Sequence, residues 1–387
     1  MPSTEKVRKS ELTQALDSFL DDKRSDGTED VGFLTILEFV DRYKLLPGGL
    51  YPVQKFIFKL YYNLPLDDFI PEKKGDRIKV SRDFRNEDAR EMSEVEYLRH
   101  LYSQGRCNIK EQDEKERREL ILVLGRRSGK SLLSSIVAAY ELYRLLRRGD
   151  PQAYYGMPSS SEIRVLCVAN DKDQAEIVFD EMGGHVTRVD YFKGSLANET
   201  KTFLKFRTKN DVKVFGKEGR STLTATFKSS IAKGLRGRGL ICFILDELAF
   251  FIDDGKSSAK KVYKALTPSA KQFSPKDPDD KRIPVGPTEA RIVSISSPDA
   301  KEGFFYRLYL QSLTNNRASS NMLMIQAPTW EVNPTVSQED YEIEYAKDPR
   351  EFATEYGAQF SDRVRGWIEN AKDLLDCVIE ELRPYLR

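Results

Sequence analysis

The sequence predicts an α/β fold with a mostly parallel central sheet flanked by helices, and three stretches carry that prediction. Residues 120–124 (LILVL) have the length and branching of a buried strand; a Gly-containing turn follows, and then apolar residues recur at helical spacing through Leu146. Residues 163–169 (IRVLCVA) repeat the arrangement, with a polar turn, NDKDQA, leading into a second helical stretch that ends near Met182. Residues 240–245 (LICFIL) form the most apolar run of all and stop at Asp246-Glu247. Strand, polar turn and helix in succession bring consecutive strands into a sheet side by side and parallel.

Composition bounds what can be built on this frame. The chain has 387 residues, 40% of them hydrophobic, with 21 Phe and 18 Tyr, which suffices for a sizeable core. Lys and Arg number 62 against 61 Asp and Glu, so the net charge is +1. No global field draws the chain to nucleic acid or to an anionic membrane; any such contact must come from a local patch. Four widely spaced cysteines, Cys107, Cys167, Cys242 and Cys377, support neither a disulfide framework nor a zinc site. Only His100 and His185 are present, which argues against a histidine metal centre. The first residues, MPSTEKVRKSELTQ, lack the apolar centre of a signal peptide, and no apolar run approaches a membrane span. A soluble, intracellular protein is expected.

Taken in order, residues 1–45 read as a helical arm, with a weakly amphipathic run at 12–20 and a helix at 33–43 stopped by Pro47-Gly48-Gly49. Tyr51-Pro52-Val53-Gln54 opens an aromatic helix with Pro near its start. Residues 67–118 are mostly charged and are expected to make an excursion around the core. From 201 to 228, TFLKF, DVKVFG and TLTATFK read as short alternating strands that add an antiparallel edge. Strands follow at 290–295 and 322–326, and beyond Pro328 the pattern turns helical, as in a small lid subdomain. The expected organisation is an arm at 1–45, a core at 46–328 and a lid or linker at 329–387.

The chemistry concentrates at the ends of the strands. The turn Gly125-Arg126-Arg127-Ser128-Gly129-Lys130-Ser131 lies between a strand and a helix N-terminus, where backbone N–H groups cradle phosphates. It reads as a P-loop binding ATP, with Lys130 reaching the β- and γ-phosphates and Ser131 on Mg²⁺. The standard spacing would put its first Gly at Leu124, and Gly125 stands one place late. Asp246, at the end of an apolar strand, is the candidate for the Mg²⁺ shell, and Glu247 for orienting or deprotonating the attacking water. Phosphoanhydride hydrolysis asks a protein chiefly for positioning and charge compensation. Arg236 and Arg238, in the Gly-rich stretch KGLRGRG, are candidates for an arginine finger in cis or in trans; a basic surface loop or a DNA phosphate contact is the competing reading. Arg126 and Arg127 are within reach of the same phosphate. Ser296, in SISSP, could sense the γ-phosphate, the alternative being a simple Ser-Pro turn.

Across residues 45–360 these elements resemble, in order, the large terminase subunit of tailed bacteriophages. YPVQ resembles the adenine-side motif of that family, which makes Gln54 an expected nucleotide contact. GRRSGKS resembles its variant P-loop, in which the first Gly is often displaced and an Arg follows. VANDKDQA resembles its strand and helix after the P-loop, GLRGRG before ILDE its Arg-bearing approach to the acidic strand, and SISSP its coupling motif. PTWEVNP and EYGAQF resemble its lid and the end of its ATPase domain.

The resemblance implies a P-loop NTPase of the RecA-like class, using ATP and Mg²⁺ to drive double-stranded DNA into a procapsid. It implies a homo-oligomeric ring on the portal protein, a small terminase subunit as partner, the host cytoplasm as location and no membrane. Family members also carry an RNase H-like nuclease; the chain stops at LRPYLR, about where that domain is expected, so no nuclease residue is assigned here.

Two other readings stay open. A helicase-like or other P-loop DNA-dependent ATPase shares these motifs, yet only 89 residues follow Pro298, too few for a second RecA-like domain. A non-catalytic nucleotide- or DNA-binding scaffold would not need Lys130 and Glu247.

Overall fold

The computed structural model describes residues 33–69, 77–230, 239–251, 258–314, 316–317 and 319–362. Its strands are β1 (Ile78–Val80), β2 (Arg90–Met92), β3 (Glu119–Leu124), β4 (Ile163–Ala169), β5 (Leu196–Glu199), β6 (Phe203–Phe206), β7 (Leu223–Ser229), β8 (Gly239–Asp246), β9 (Arg291–Ser296) and β10 (Met322–Ala327). Eight of them form one sheet in the order β10-β3-β9-β8-β4-β7-β6-β5. From β10 to β7 every pairing is parallel, and β6 and β5 add the antiparallel edge. Strands covered on both faces must be apolar throughout, as in β3, where all six residues are buried.

The longer helices are α1 (Ile36–Arg42), α2 (Pro52–Tyr61), α3 (Glu94–Ser103), α4 (Lys130–Arg148), α5 (Lys172–Arg188), α6 (Lys209–Phe215), α7 (Ala259–Ala270), α8 (Gly303–Leu313), α9 (Gln338–Lys347) and α10 (Pro349–Glu355). The crossover through α4 runs from β3 to β4, in one direction along the sheet, whereas those through α7 and α8 run from β8 to β9 to β10, in the other. Parallel crossovers are right-handed, so α4 covers one face and α7 and α8 the opposite one. Contacts agree, with α4 packed on α5, and α7 on α8 and β8. Helix α1 packs on α4 through Phe39, whose ring lies 5.5 Å from Tyr140 and 5.1 Å from Tyr143. The run at 12–20 lies outside the described residues.

Two departures from the sequence reading have identifiable causes. The stretch DVKVFG, 211–216, was expected as a strand, and all of it but Gly216 falls in the helix α6. Thr208 caps it, accepting from the Asp211 N–H at 3.0 Å while the Asp211 carboxylate accepts from the Thr208 N–H at 3.0 Å. This reciprocal cap overrides the apolar alternation of DVKVF. Strand β7, read as part of the antiparallel edge, is antiparallel only to β6 and pairs parallel with β4.

The charged excursion also does more than fill space. It contains the β1–β2 pair and α3, and it contributes Phe84 to a second, small aromatic core with Tyr341, Phe352 and Tyr356. The Phe84 and Phe352 rings lie 5.0 Å apart. The lid helices α9 and α10 are thus built around a side chain supplied from far upstream in the chain.

Candidate nucleotide site

The carboxyl ends of β3, β8 and β9 meet at one edge of the sheet, and the loops leaving them form the site. After Leu124 the chain makes the phosphate-loop turn. Arg127 and Gly129 take left-handed backbone conformations, φ 63° and 81°, and Gly129 caps the start of α4. The left-handed φ favours glycine at 129, and a Cβ there would also approach the Gln54 amide nitrogen to 3.0 Å. Inside the turn Ser128 Oγ donates to the Gly125 carbonyl at 2.6 Å.

Lys130, the first residue of α4, is 8% exposed and points back across the loop. Its Nζ donates to Ser297 Oγ at 2.8 Å and lies 3.4 Å from the Gly125 carbonyl and 3.6 Å from Glu247 Oε1. Glu247 itself is held in the left-handed region at φ 51°, a conformation that costs a non-glycine residue about 1 kcal/mol or more. Its other oxygen accepts from Ser296 Oγ at 3.0 Å and from the Ser297 N–H at 3.4 Å. Ser296 Oγ in turn accepts from the Ala249 N–H at 3.2 Å, tying the end of β9 to the turn after β8.

Asp246, the last residue of β8, is 4% exposed, and its Oδ1 has no partner among the described residues. Burial pushes its carboxyl up to about 7, the adjacent Glu247 carboxylate adds to the shift, and Lys130 opposes it. Glu181 on α5, itself pushed up by burial, contributes further negative potential. A buried carboxylate oxygen without a partner among the described residues, beside Lys130 and Glu247, is what a divalent cation would neutralise. Among the described residues no group of three or more His, Cys, Asp or Glu could hold a metal. Mg²⁺ takes one or two protein oxygens and fills the rest of its shell with water and substrate phosphates. Asp246 and the half-buried Ser131 are the residues that would hold it.

The site also has a brace that the motifs alone did not reveal. Thr329 Oγ1 donates to the Arg126 carbonyl at 2.7 Å and Asn333 Nδ2 to the Arg127 carbonyl at 2.7 Å. Arg126 pairs through Nε with Glu355 at 3.2 Å, and its N–H donates to the Glu355 carbonyl. A Cβ on Gly125 would meet Thr329 Oγ1 at 2.3 Å and the Tyr356 carbonyl at 2.5 Å. The loop is therefore clasped by the lid segment. Gln54 braces it from the other side, since its Nε2 donates to the Ser128 carbonyl at 3.4 Å while its Oε1 accepts from the Tyr51 N–H. The residues PTWEVNP marked this region in the sequence, but nothing there singled out Thr329, Asn333 or Glu355.

So Gln54, Gly125, Arg126, Arg127, Ser128, Gly129, Lys130, Ser131, Asp246, Glu247 and Ser296 converge on one edge. Arg236 and Arg238 lie outside the described residues. Next to the loop is a cavity of about 220 Å³ lined by Pro52, Arg77, Phe84, Trp330, Asn333 and Tyr341. It shares Asn333 with the brace.

With this geometry in view, residues 83–358 match the family model described as the N-terminal P-loop domain of the uncharacterized protein MJ0330. The chain belongs to that P-loop family. The protein MJ0330 of Methanocaldococcus jannaschii is 25% identical over 238 residues, which are 59% of this chain and 38% of that protein. The chain thus spans well under half of its curated relative.

Among solved structures, the large terminase of bacteriophage HK97 is similar with a TM-score of 0.50 at 14% identity, covering 84% of this chain and 55% of that one. The large terminase ATPase domain of Thermus phage P74-26 is similar with a TM-score of 0.43 at 22% identity, over 64% of this chain and 90% of that one. The fold is that of a P-loop domain with a mostly parallel sheet, the fold of the HK97 large terminase over the matched part. No helix among the described residues is long and apolar enough to cross a membrane.

Proposed function

We propose that this chain is the ATPase part of a viral DNA-packaging motor, hydrolysing ATP to move double-stranded DNA into a procapsid. The observation that carries the proposal is the convergence of Lys130, Asp246 and Glu247 beyond the carboxyl ends of β3 and β8, on either side of β9, with Lys130 and Glu247 both tied to the Ser296-Ser297 segment at the end of β9. Lys130 would leave its present partners for the β- and γ-phosphates, and its departure would free Glu247 to orient the attacking water. Mg²⁺, when bound at Asp246 and Ser131, supplies positive charge against that developing on the phosphoryl oxygens. Ser296 and Ser297 contact both catalytic side chains, so loss of the γ-phosphate can be felt at the end of β9. The cavity beside the loop, lined by Pro52, Trp330 and Asn333 among others, would take the base while Gln54 holds the loop beside it.

The likeness to the HK97 large terminase supports the choice of duplex DNA as substrate over other uses of ATP. A homo-oligomeric ring on a portal protein, with a small terminase subunit delivering the DNA in the host cytoplasm, belongs to the same reading. Either Arg236 or Arg238 would supply the finger. The test is ATP hydrolysis by the purified chain with Mg²⁺, with and without duplex DNA. Magnesium-dependent turnover that is lost in Lys130→Ala is expected. Equal turnover in the wild type and Lys130→Ala would overturn the proposal.

A further inference from the structure

Helix α7 carries charge that neither the fold nor the nucleotide site uses. Between Ser258 and Lys276 the sequence holds five lysines and no acid, in a chain whose net charge is only +1. The exposed residues from 258 to 271 are Lys260, Lys261, Lys264, Pro268 and Lys271. At 3.6 residues per turn these fall on one arc of about 100°, and Lys260 to Lys271 spans about 16 Å along the axis. Lys260, Lys264 and Lys271 make no ion pair among the described residues. The opposite face is firmly seated. Val262, Leu266 and Ala270 are buried, Tyr263 donates to Glu119 of β3 at 2.5 Å, and its ring lies 5.3 Å from Phe304 of α8.

Local stability does not account for this arrangement. Lys260 stands in the first turn of the helix, where the backbone dipole disfavours cations, and that turn holds no acidic residue. A row of cations on a rigid helix is instead matched to a regular row of anions. Phosphates of a duplex recur every 3.4 Å of axis along each strand, so about five on one strand pass beneath a 16 Å helix. The lysine face carries no large exposed apolar side chain, which a membrane-surface helix would insert.

We infer that the outer face of α7 is a docking surface for the phosphate backbone of duplex DNA, with Lys260, Lys264 and Lys271 as its contacts. The inference rests on the reading of the chain as a DNA-dependent ATPase, and names the surface that reading leaves open. Because α7 lies on β8 and reaches β3 through Tyr263, it rests on the two strands that end at Asp246 and at the phosphate loop.

The experiment measures binding of a short random-sequence duplex across a salt series, for the wild type and for the triple substitution Lys260→Gln, Lys264→Gln, Lys271→Gln, alongside DNA-free ATP hydrolysis. Each phosphate contact contributes about 0.9 to the slope of log affinity against log salt, so the triple variant should lose about 3 from that slope while its DNA-free turnover stays unchanged. The matching Lys→Arg variant should keep the slope. Wild-type binding with an unaltered slope in the Gln variant would overturn the inference and leave the motor reading standing. Equal loss of binding to polyglutamate and to the duplex would overturn it in favour of an acidic protein partner. Magnesium-dependent turnover without any duplex binding, even at low salt, would sink both the surface and the DNA motor.

Discussion

The two ends of the central sheet both bury charge, and they treat it in opposite ways. At the amino ends of β3 and β9, Arg291 is 1% exposed, yet it donates to the carbonyls of Tyr61 and Arg117, pairs with Glu116, and lies over the rings of Tyr61 and Tyr62. Glu289 just before it accepts from Tyr154, Tyr155, Arg144 and Arg148, and those partners hold its carboxyl below the ordinary range despite burial. At the carboxyl ends, Asp246 keeps an oxygen without a partner among the described residues, Glu247 and Arg127 hold left-handed backbones, and Lys130 bonds to groups it would leave on meeting a phosphate. At the amino ends most of the charge meets partners already in place, although Arg291 Nε, 3.7 Å from Glu141, and two nitrogens of Arg118 have no hydrogen bond among the described residues. Charge at the proposed nucleotide site is left open, and the strain it entails is borne by the surrounding sheet.

The largest effect should come from the open end. Glu247→Gln keeps size and hydrogen-bond capacity while removing the base, so ATP hydrolysis should fall by about a hundredfold to ten-thousandfold with an unchanged circular dichroism spectrum. A variant turning over within threefold of the wild type, on the order of 0.7 kcal/mol in barrier, would show that Glu247 is not the base. The closed end should respond in stability instead. Arg291→Ala takes a buried donor from the carbonyls of Tyr61 and Arg117 and empties the space under the Tyr61 and Tyr62 rings, while Glu116 keeps Arg118 and Glu141 keeps Arg144; denaturant unfolding should register a loss of about 2–4 kcal/mol. Hydrolysis per folded molecule should be retained; a selective loss of turnover would dissolve the distinction between the two ends.

Glu119 lies at the closed end but on the strand that carries the loop. Burial pushes its carboxyl up to about 7, partly offset by the hydrogen bond from Tyr263. A raised acid favours the folded state while it is protonated, so its contribution is complete below about pH 4 and is lost as pH rises through about 7. Glu119→Gln, neutral at every pH, should be more stable than the wild type at pH 8 by on the order of 2 kcal/mol, and about equal to it at pH 4. Parallel stability curves for the two proteins would refute this. Gly125→Ala should disturb the clasp, because the added methyl meets Thr329 and the Tyr356 carbonyl; a cost of about 1–3 kcal/mol and weaker nucleotide binding by titration calorimetry are expected. Smallest should be Glu355→Gln, since Arg126 is 63% exposed in that pair; unfolding should shift by less than about 1 kcal/mol.

How far the sequence could be read follows from the range of the forces involved. Strand, turn and helix around Lys130, and the apolar strand ending at Asp246, were legible because a buried strand must be apolar throughout and a phosphate loop needs its glycine and lysine at fixed local offsets. The helix α6 was misread because its cap, Thr208 with Asp211, competes with alternation over the same few residues, and Asp211 is fixed further by Thr222, eleven positions away.

What the sequence determined on its own was therefore the chemistry of each segment: a loop for phosphate, two acids at a strand end, a serine-rich turn. Only the tertiary structure decided that Lys130 reaches Ser297 and Glu247, that Thr329, Asn333 and Glu355 clasp the loop, and that Phe84 completes the lid's core. Those contacts join residues from about 100 to more than 250 positions apart. Local periodicity carries no trace of such distances, because sheet order and crossover handedness, not neighbouring residues, bring the partners together.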